Sequence, residues 1–162
     1  MPDFTTSDGL RLHYEDEGEG HPILCLAGLT RNSRDFTYLL PHLSGHRVIC
    51  MDYRGRGKSQ WADDYMSYNI LREGQDAVEL LDHLGIGKTT IIGTSRGGLI
   101  AMALSGTNPD RLISVVLNDI GPEVTKIGID RIMDYVGKTP PFANLDDAAD
   151  ALQAGLGQDF PG

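Results

Sequence analysis

The sequence predicts an α/β fold in which helices cover both faces of a mostly parallel sheet. Short, continuous apolar runs, typical of strands buried on both faces, alternate with stretches whose apolar residues recur at helical spacing. The apolar runs are followed by Gly28, Asp52, Gly93 or the pair Asn118-Asp119. Binding and catalytic sites of open α/β sheets lie at the carboxyl ends of the parallel strands, which is where these residues are expected.

Five strands are predicted from two kinds of pattern. Residues 11–16 alternate polar and apolar side chains after the turn pair Asp8-Gly9, which suits a hairpin at a sheet edge. The other four are continuous apolar runs, at residues 22–27, 47–51, 89–92 and 113–117. Because parallel strands are covered on both faces, these four should form the centre of the sheet.

Helical patterns lie between the strands. Residues 36–43 have helical spacing, but Pro41 is expected to break or kink that piece. Residues 70–84 form the clearest amphipathic stripe, and Gly85 is a natural C-terminal stop. Residues 97–105 are apolar almost all round, which predicts a buried helix.

The sequence changes character after the last predicted strand. Gly121-Pro122 is a break, and two helical stretches follow, separated by Thr139-Pro140-Pro141. We therefore predict a core domain at residues 1–121 and the beginning of a helical cap or lid at residues 122–162.

Composition excludes several classes of protein. The net charge is −9, from 23 acidic and 14 basic residues, which argues against a nucleic-acid binder that needs clustered Lys and Arg. No basic amphipathic segment suits a membrane surface. We expect no metal and no cofactor, and a small acyl compound as the binding partner.

The cysteines and the N-terminus both favour a cytoplasmic location. Cys25 and Cys50 each lie inside a strand-like apolar run, which indicates buried thiols in a reducing compartment. The first residues carry neither a basic region nor an apolar region typical of a secretory signal.

The segment Gly93-Thr94-Ser95-Arg96-Gly97 matches G-x-S-x-G between a predicted strand and a predicted buried helix. This setting suits a serine that is exposed on a tight, strained turn, from which its hydroxyl would attack a carbonyl carbon. Side chains at Gly93 and Gly97 would collide across such a turn. The alternative is that Ser95 simply caps a buried helix.

Three segments resemble the α/β-hydrolase fold family. They are Leu26-Ala27-Gly28-Leu29 at the end of the predicted strand 22–27, the D-x-R-G-x-G-x-S stretch at residues 52–59, and the Ser95 motif, each at the end of a predicted strand. The resemblance implies that the N–H groups of Arg96 and Leu29 form an oxyanion hole. Ala27 stands where family members often have His.

The stretch at residues 52–59 is interpreted as mainly structural. Gly55 and Gly57 permit a tight turn, and Asp52 and Arg54 are placed to pair or to bond backbone groups. A contact with substrate is the alternative. A phosphate-binding loop is excluded, since neither glycine-rich phosphate motif is present.

A catalytic histidine is not evident in the sequence. The resemblance implies the chain order Ser, acid, His, whereas all five histidines precede Ser95: His13, His21, His42, His46 and His83. We expect them to be surface or packing residues. Asp119, after the last predicted strand, is a candidate acid or a local cap. The resemblance more often implies an acid from the next strand, which this chain does not contain.

We therefore expect a serine hydrolase of carboxylic esters or similar acyl compounds that is inactive as this chain alone, with its base beyond residue 162. A carbon–carbon bond hydrolase of diketones and a non-catalytic folded remnant or binding module are the alternatives. Dehalogenases and epoxide hydrolases of the family are disfavoured, because they place Asp where Ser95 stands. The resemblance implies that further strands would pair with the outer edge of the strand 113–117. Without them this apolar edge is unpaired, which predicts self-association or pairing with a C-terminal portion.

Overall fold

The computed structural model describes residues 2–134, 136–138 and 142–156 of the chain. The strands are β1 (Asp3–Thr5), β2 (Arg11–Glu17), β3 (His21–Leu26), β4 (His46–Met51), β5 (Thr89–Thr94) and β6 (Leu112–Asn118). Within the described residues they form one sheet in the order β1-β2-β4-β3-β5-β6. All of them belong to the first of two compact units, Met1–Glu123 and Val124–Gly162.

The sheet is mostly parallel, as predicted. β1 pairs with β2 and β2 with β4 in antiparallel fashion, whereas β4, β3, β5 and β6 run parallel. The hairpin turn predicted at Asp8-Gly9 joins β1 to β2, and Gly9 has a φ of +84°. The carboxyl ends of β3, β4 and β5 therefore meet at one edge of the sheet.

Two helices follow β4 and β5. The first, α1 (Ile70–His83), begins where the Asn69 side chain accepts a hydrogen bond from the Arg72 N–H, and it stops before Gly85, whose φ is +66°. The second, α2 (Arg96–Thr107), begins directly after Ser95 and buries residues such as Ile100 and Leu104. Both helices were predicted.

The segment with helical spacing around residues 36–43 does not form an α-helix. It contributes two 3-10 turns, Ser33–Phe36 and Leu40–His42. Pro41 is the physical reason, since it has no N–H to donate and its ring clashes with the preceding turn. The aromatic ring of Phe36 is nevertheless buried in the core.

The second unit contains α3 (Lys126–Met133) and α4 (Leu145–Leu156). Asn144 accepts a hydrogen bond of 2.9 Å from the Asp147 N–H and so begins α4, as expected of an N-terminal cap. The predicted separator Thr139-Pro140-Pro141 and residues 157–162 lie outside the described residues. No helix in the described part of the chain has the length and apolar character needed to cross a membrane.

The core is centred on β3 and β4. Leu24 and Ile49 are fully buried, and Cys25 lies opposite Cys50 in register. Both cysteines are free thiols, as predicted. The neighbouring Cys25 and the burial of the site both raise the pKa of the Cys50 thiol far above its ordinary value, so the thiol stays protonated.

Candidate active site

Ser95 occupies a strained turn between β5 and α2. Its φ is +49° and its ψ is −111°, a backbone conformation that L-residues rarely adopt, and this confirms the predicted strained turn. The Ser95 N–H donates to the Asn118 carbonyl at 2.9 Å, which fastens the turn to the end of β6. The Ser95 carbonyl accepts from the N–H groups of Gly98 and Leu99, in the first turn of α2.

Glycine is required on both sides of this turn. A Cβ atom on Gly93 would stand 2.6 Å from the Gly97 carbonyl oxygen and 2.7 Å from the Gly98 nitrogen. A Cβ atom on Gly97 would overlap the carbonyl oxygen of Leu26, at the end of β3. The motif therefore brings α2 against the backbone of two strands, and the collision expected from the sequence is confirmed.

The segment after β3, residues 27–33, is called the β3 loop. Gly28 is buried beside Ser95, because a Cβ atom on it would be 4.0 Å from the Cβ of Ser95. The loop turns at once, with the Arg31 N–H donating to the Gly28 carbonyl at 3.2 Å. Leu29, half-buried, lies inside this turn, next to Gly28. The loop predicted to carry an oxyanion donor thus adjoins Ser95.

The segment after β4, residues 52–59, is called the β4 turn, and it holds the β3 loop by three hydrogen bonds. The Tyr53 hydroxyl donates to the Ala27 carbonyl at 3.0 Å, and Arg56 Nε donates to the Leu29 carbonyl at 3.2 Å. Asp52 Oδ1 accepts from the Ser33 N–H at 2.7 Å. These contacts support the structural role expected for this stretch. Tyr53 and Arg56 were not singled out from the sequence.

Asp52 and Arg54 have different partners. Asp52 also accepts from the Lys58 N–H at 2.9 Å, which closes the β4 turn itself. Arg54 is fully buried and bonds both oxygens of Asp76, on α1, at 2.7 Å, together with Asp8. Asp52 therefore bonds backbone groups, whereas Arg54 forms ion pairs that tie the hairpin turn to α1.

The side chain of Arg96 is held by α1. Its Nε donates to Glu73 Oε2 at 2.7 Å, and Glu73 is almost completely buried. Because Arg96 begins α2, its backbone N–H is one of the groups without an acceptor inside the helix. Sequence reasoning missed Glu73, although a carboxylate on the apolar face of the α1 stripe was a signal that it has a buried cationic partner.

The histidines lie where the sequence predicted. His21 and His46 begin β3 and β4, at the sheet edge opposite Ser95, and His42 and His83 are the last residues of their helical segments. His13 is buried in β2, with its ring nitrogens 2.9 Å from carboxylate oxygens of Asp3 and Glu15. None of the five, all within the described residues, hydrogen-bonds Ser95.

Asp119 lies at the same sheet edge as Ser95. It follows Asn118, the residue whose carbonyl holds the Ser95 N–H, and its φ is +53°. Aspartate tolerates this left-handed conformation better than most residues. The side chain is exposed. Its place agrees with either of the two roles considered, orienting acid or local cap.

An open concavity of about 590 Å³ flanks the Ser95 turn. Thr94 and Asn118 line it next to the turn, and the far side includes Arg31, Phe36 and Leu39 of the neighbouring segment. Ser95 is not one of its lining residues. We therefore assign this concavity no role in holding the acyl group.

Comparison with known proteins agrees with this geometry. The family model described as alpha/beta hydrolase fold matches residues 21–161. A 3-hydroxybutyrate-oligomer hydrolase of Cupriavidus necator is 35% identical over 147 residues, covering 88% of this chain and 50% of that protein. The chain thus spans about half the length of the curated relatives it matches.

Solved structures give the same picture. The crystal structure of an alpha/beta hydrolase from Novosphingobium aromaticivorans shares 47% identity, with a TM-score of 0.89 over 99% of this chain and 57% of that one. An esterase from Exiguobacterium antarcticum shares 30% identity, with a TM-score of 0.67 over 71% of this chain and 43% of that one. From the family match, the sheet order and the turn at Ser95 together, this chain belongs to the α/β-hydrolase fold family.

Proposed function

We propose that Ser95 is the nucleophile of a serine hydrolase that cleaves carboxylic esters or similar acyl compounds. The observation that carries the proposal is the strained backbone of Ser95 at the start of α2, with the β3 loop directly beside it. A helix cap alone needs no positive φ, since the N-terminal cap position is normally extended. The similarity to hydrolases supports the same reaction class.

In the proposed reaction, the Ser95 hydroxyl attacks the carbonyl carbon of the acyl group. The N–H groups of Arg96 and Leu29 would then stabilise the negative charge that develops on the carbonyl oxygen. The helix dipole of α2 adds to this at Arg96. The base that removes the Ser95 proton is proposed to come from outside these 162 residues. His21 and His46 begin strands at the opposite sheet edge, His42 and His83 end helical segments, and His13 bonds Asp3 and Glu15, so none of the five hydrogen-bonds Ser95.

The substrate class is proposed to be a carboxylic ester or similar acyl compound in the cytoplasm, handled without a metal or cofactor. Oligomers of 3-hydroxybutyrate, the compounds named for the Cupriavidus necator relative, are one ester to include in a test panel. p-Nitrophenyl esters of increasing chain length would define the acyl pocket. Hydrolysis of a diketone tests the alternative carbon–carbon bond activity, which uses the same nucleophile.

The decisive experiment labels Ser95 with a fluorophosphonate probe in the protein as its gene encodes it. We expect one adduct, on the peptide that contains Ser95, and a loss of roughly a million-fold in turnover for Ser95→Ala. Ser105→Ala is the matched control, since Ser105 belongs to the same helix and only bonds the Ala101 carbonyl. Absence of an adduct on Ser95 would support the non-catalytic alternative.

A further inference from the structure

Three successive carbonyl groups at the start of the β3 loop each accept a hydrogen bond. Ala27 accepts from the Tyr53 hydroxyl at 3.0 Å, Gly28 from the Arg31 N–H at 3.2 Å, and Leu29 from Arg56 Nε at 3.2 Å. The middle bond is local to the loop. The outer two come from the β4 turn, which is more than twenty residues away in sequence.

Peptide geometry connects these carbonyls to the proposed oxyanion donor. In a planar trans peptide, the carbonyl of one residue and the N–H of the next point in opposite directions. The direction of the Gly28 carbonyl therefore sets the direction of the Leu29 N–H. The planes on either side of it carry the Ala27 and Leu29 carbonyls, which Tyr53 and Arg56 hold. With both neighbours held, the Cα atoms at the two ends of the middle plane stay in place, and the Arg31 N–H restrains the remaining rotation about the line between them.

From this arrangement we propose that Tyr53 and Arg56 are positioning residues, which aim the Leu29 N–H at the oxyanion beside Ser95. The inference rests on the proposed function, because it assigns the β4 turn a part in that reaction. Neither side chain would touch the substrate. Each acts through the carbonyl it holds.

Both donors are suited to a permanent role. Tyr53 is 1% exposed, and burial, together with the nearby Glu73 carboxylate, raises its pKa well above the ordinary value, so the phenol keeps its proton and remains a donor. Arg56 is half-buried and also bonds the Gly55 carbonyl at 3.0 Å. A guanidinium has N–H donors and no acceptor, so Arg56 can only donate.

The test compares Arg56→Met with Arg111→Met in the protein as its gene encodes it. Arg111 is a matched control, because it also donates to two backbone carbonyls, Gly87 and Ile86, but before β5 and away from Ser95. Removing an oxyanion donor outright costs about 10²–10³ in kcat, so a misaimed donor should cost about 10- to 100-fold. We expect that loss in kcat with KM nearly unchanged for Arg56→Met, and neither change for Arg111→Met.

Affinity for a trifluoromethyl ketone, which forms an oxyanion on Ser95, gives a readout that a purely structural role would not change. It should weaken by the same factor as kcat in Arg56→Met, whereas affinity for the product acid should stay constant. Arg56→Lys keeps one donor and should recover part of the loss. Tyr53→Phe removes the other donor and should show the same pattern, so the test survives if one variant unfolds.

Two results separate this inference from the function on which it rests. If wild-type protein labels at Ser95 and turns over esters, yet Arg56→Met and Tyr53→Phe keep full kcat and ketone affinity, the positioning role is wrong and the proposed function stands. If wild-type protein neither labels nor turns over, the proposed function itself fails.

Discussion

β4 and β6 are similar in sequence but differ in their surroundings. Both are short aliphatic strands that end at the sheet edge where Ser95 lies. Ile49 in β4 is fully buried, because β2 and β3 flank its strand. In β6, which among the described strands pairs only with β5, Ile113 is 54% exposed and Val116 is 50% exposed.

The difference shows that an apolar run in the sequence indicates which strand can be buried, but not whether the folded chain buries it. A strand reaches full burial only when both of its faces and both of its edges have partners. The proposed oxyanion donor Leu29 follows β3, a buried central strand. Asn118, whose carbonyl accepts from the Ser95 N–H, ends the exposed strand β6. The Ser95 turn, which follows β5, therefore lies between a buried strand, β3, and an exposed one, β6.

The largest expected effect compares the same substitution in the two strands of the 162-residue chain. Ile49→Ala should lower the free energy of unfolding by about 2–5 kcal/mol, because it leaves a cavity in the core. Ile113→Ala should cost less than about 1 kcal/mol, since half of that side chain already contacts solvent. Urea unfolding measures both values, and equal losses would mean that β6 is covered.

A second effect concerns self-association of the 162-residue chain. An unpaired apolar edge offers free backbone groups to another chain, and each fully buried aliphatic side chain contributes about 1.5–3 kcal/mol, so partial cover contributes less. Light scattering should show mass that rises with concentration, and Val116→Lys should suppress the rise. Leu71→Lys, at an exposed position on α1, is the matched control. A monomer at every concentration would contradict this proposal.

The smallest effect is an acid dependence at the hairpin turn. Burial alone would raise the pKa of Asp8, but hydrogen bonds from Arg54 and Thr6 outweigh it and lower that pKa to about 2. The resulting stability is fully present above the unfolded pKa, near 3.9, and is lost as the pH falls towards 2. Because the Asp8 side chain is 42% exposed, we expect less than about 1 kcal/mol.

Asp8→Asn should remove this part of the acid dependence. Urea unfolding of the wild-type chain and the variant between pH 5 and pH 2 measures it. The two curves should converge at the acid end. Curves that stay parallel throughout that range would show that the Arg54 contact contributes nothing to stability.

The sequence alone predicted most of the elements and the turn at Ser95. Continuous apolar runs and helical spacing are local patterns, so five of the six described strands, α1 and α2 could be predicted from neighbouring residues, whereas the three-residue β1 was not predicted. The strained turn at Ser95 could be predicted too, because the two flanking glycines make sense only in a very tight turn. Pro41 was recognised as a breaker, but spacing alone could not tell a kinked helix from 3-10 turns.

Contacts between distant segments could not be predicted in this way. Tyr53 reaches Ala27 only because β3 and β4 are neighbours in register, and strand order is not written in any local pattern. The same holds for Glu73 and Arg96, which meet because α1 and α2 pack together. The Ser95 turn of the candidate site was therefore visible in the sequence, and the side chains that hold its surroundings were not.

The two neighbouring free thiols, Cys25 in β3 and Cys50 in β4, allow unfolding of the chain to be followed by thiol labelling. Its two cysteines are both buried, so the folded molecule presents no thiol to a maleimide dye. A dye would react only when the centre of the sheet opens, so the labelling rate would measure how often that opening occurs. A single cysteine engineered on the surface would, for the same reason, be labelled without replacing the native pair.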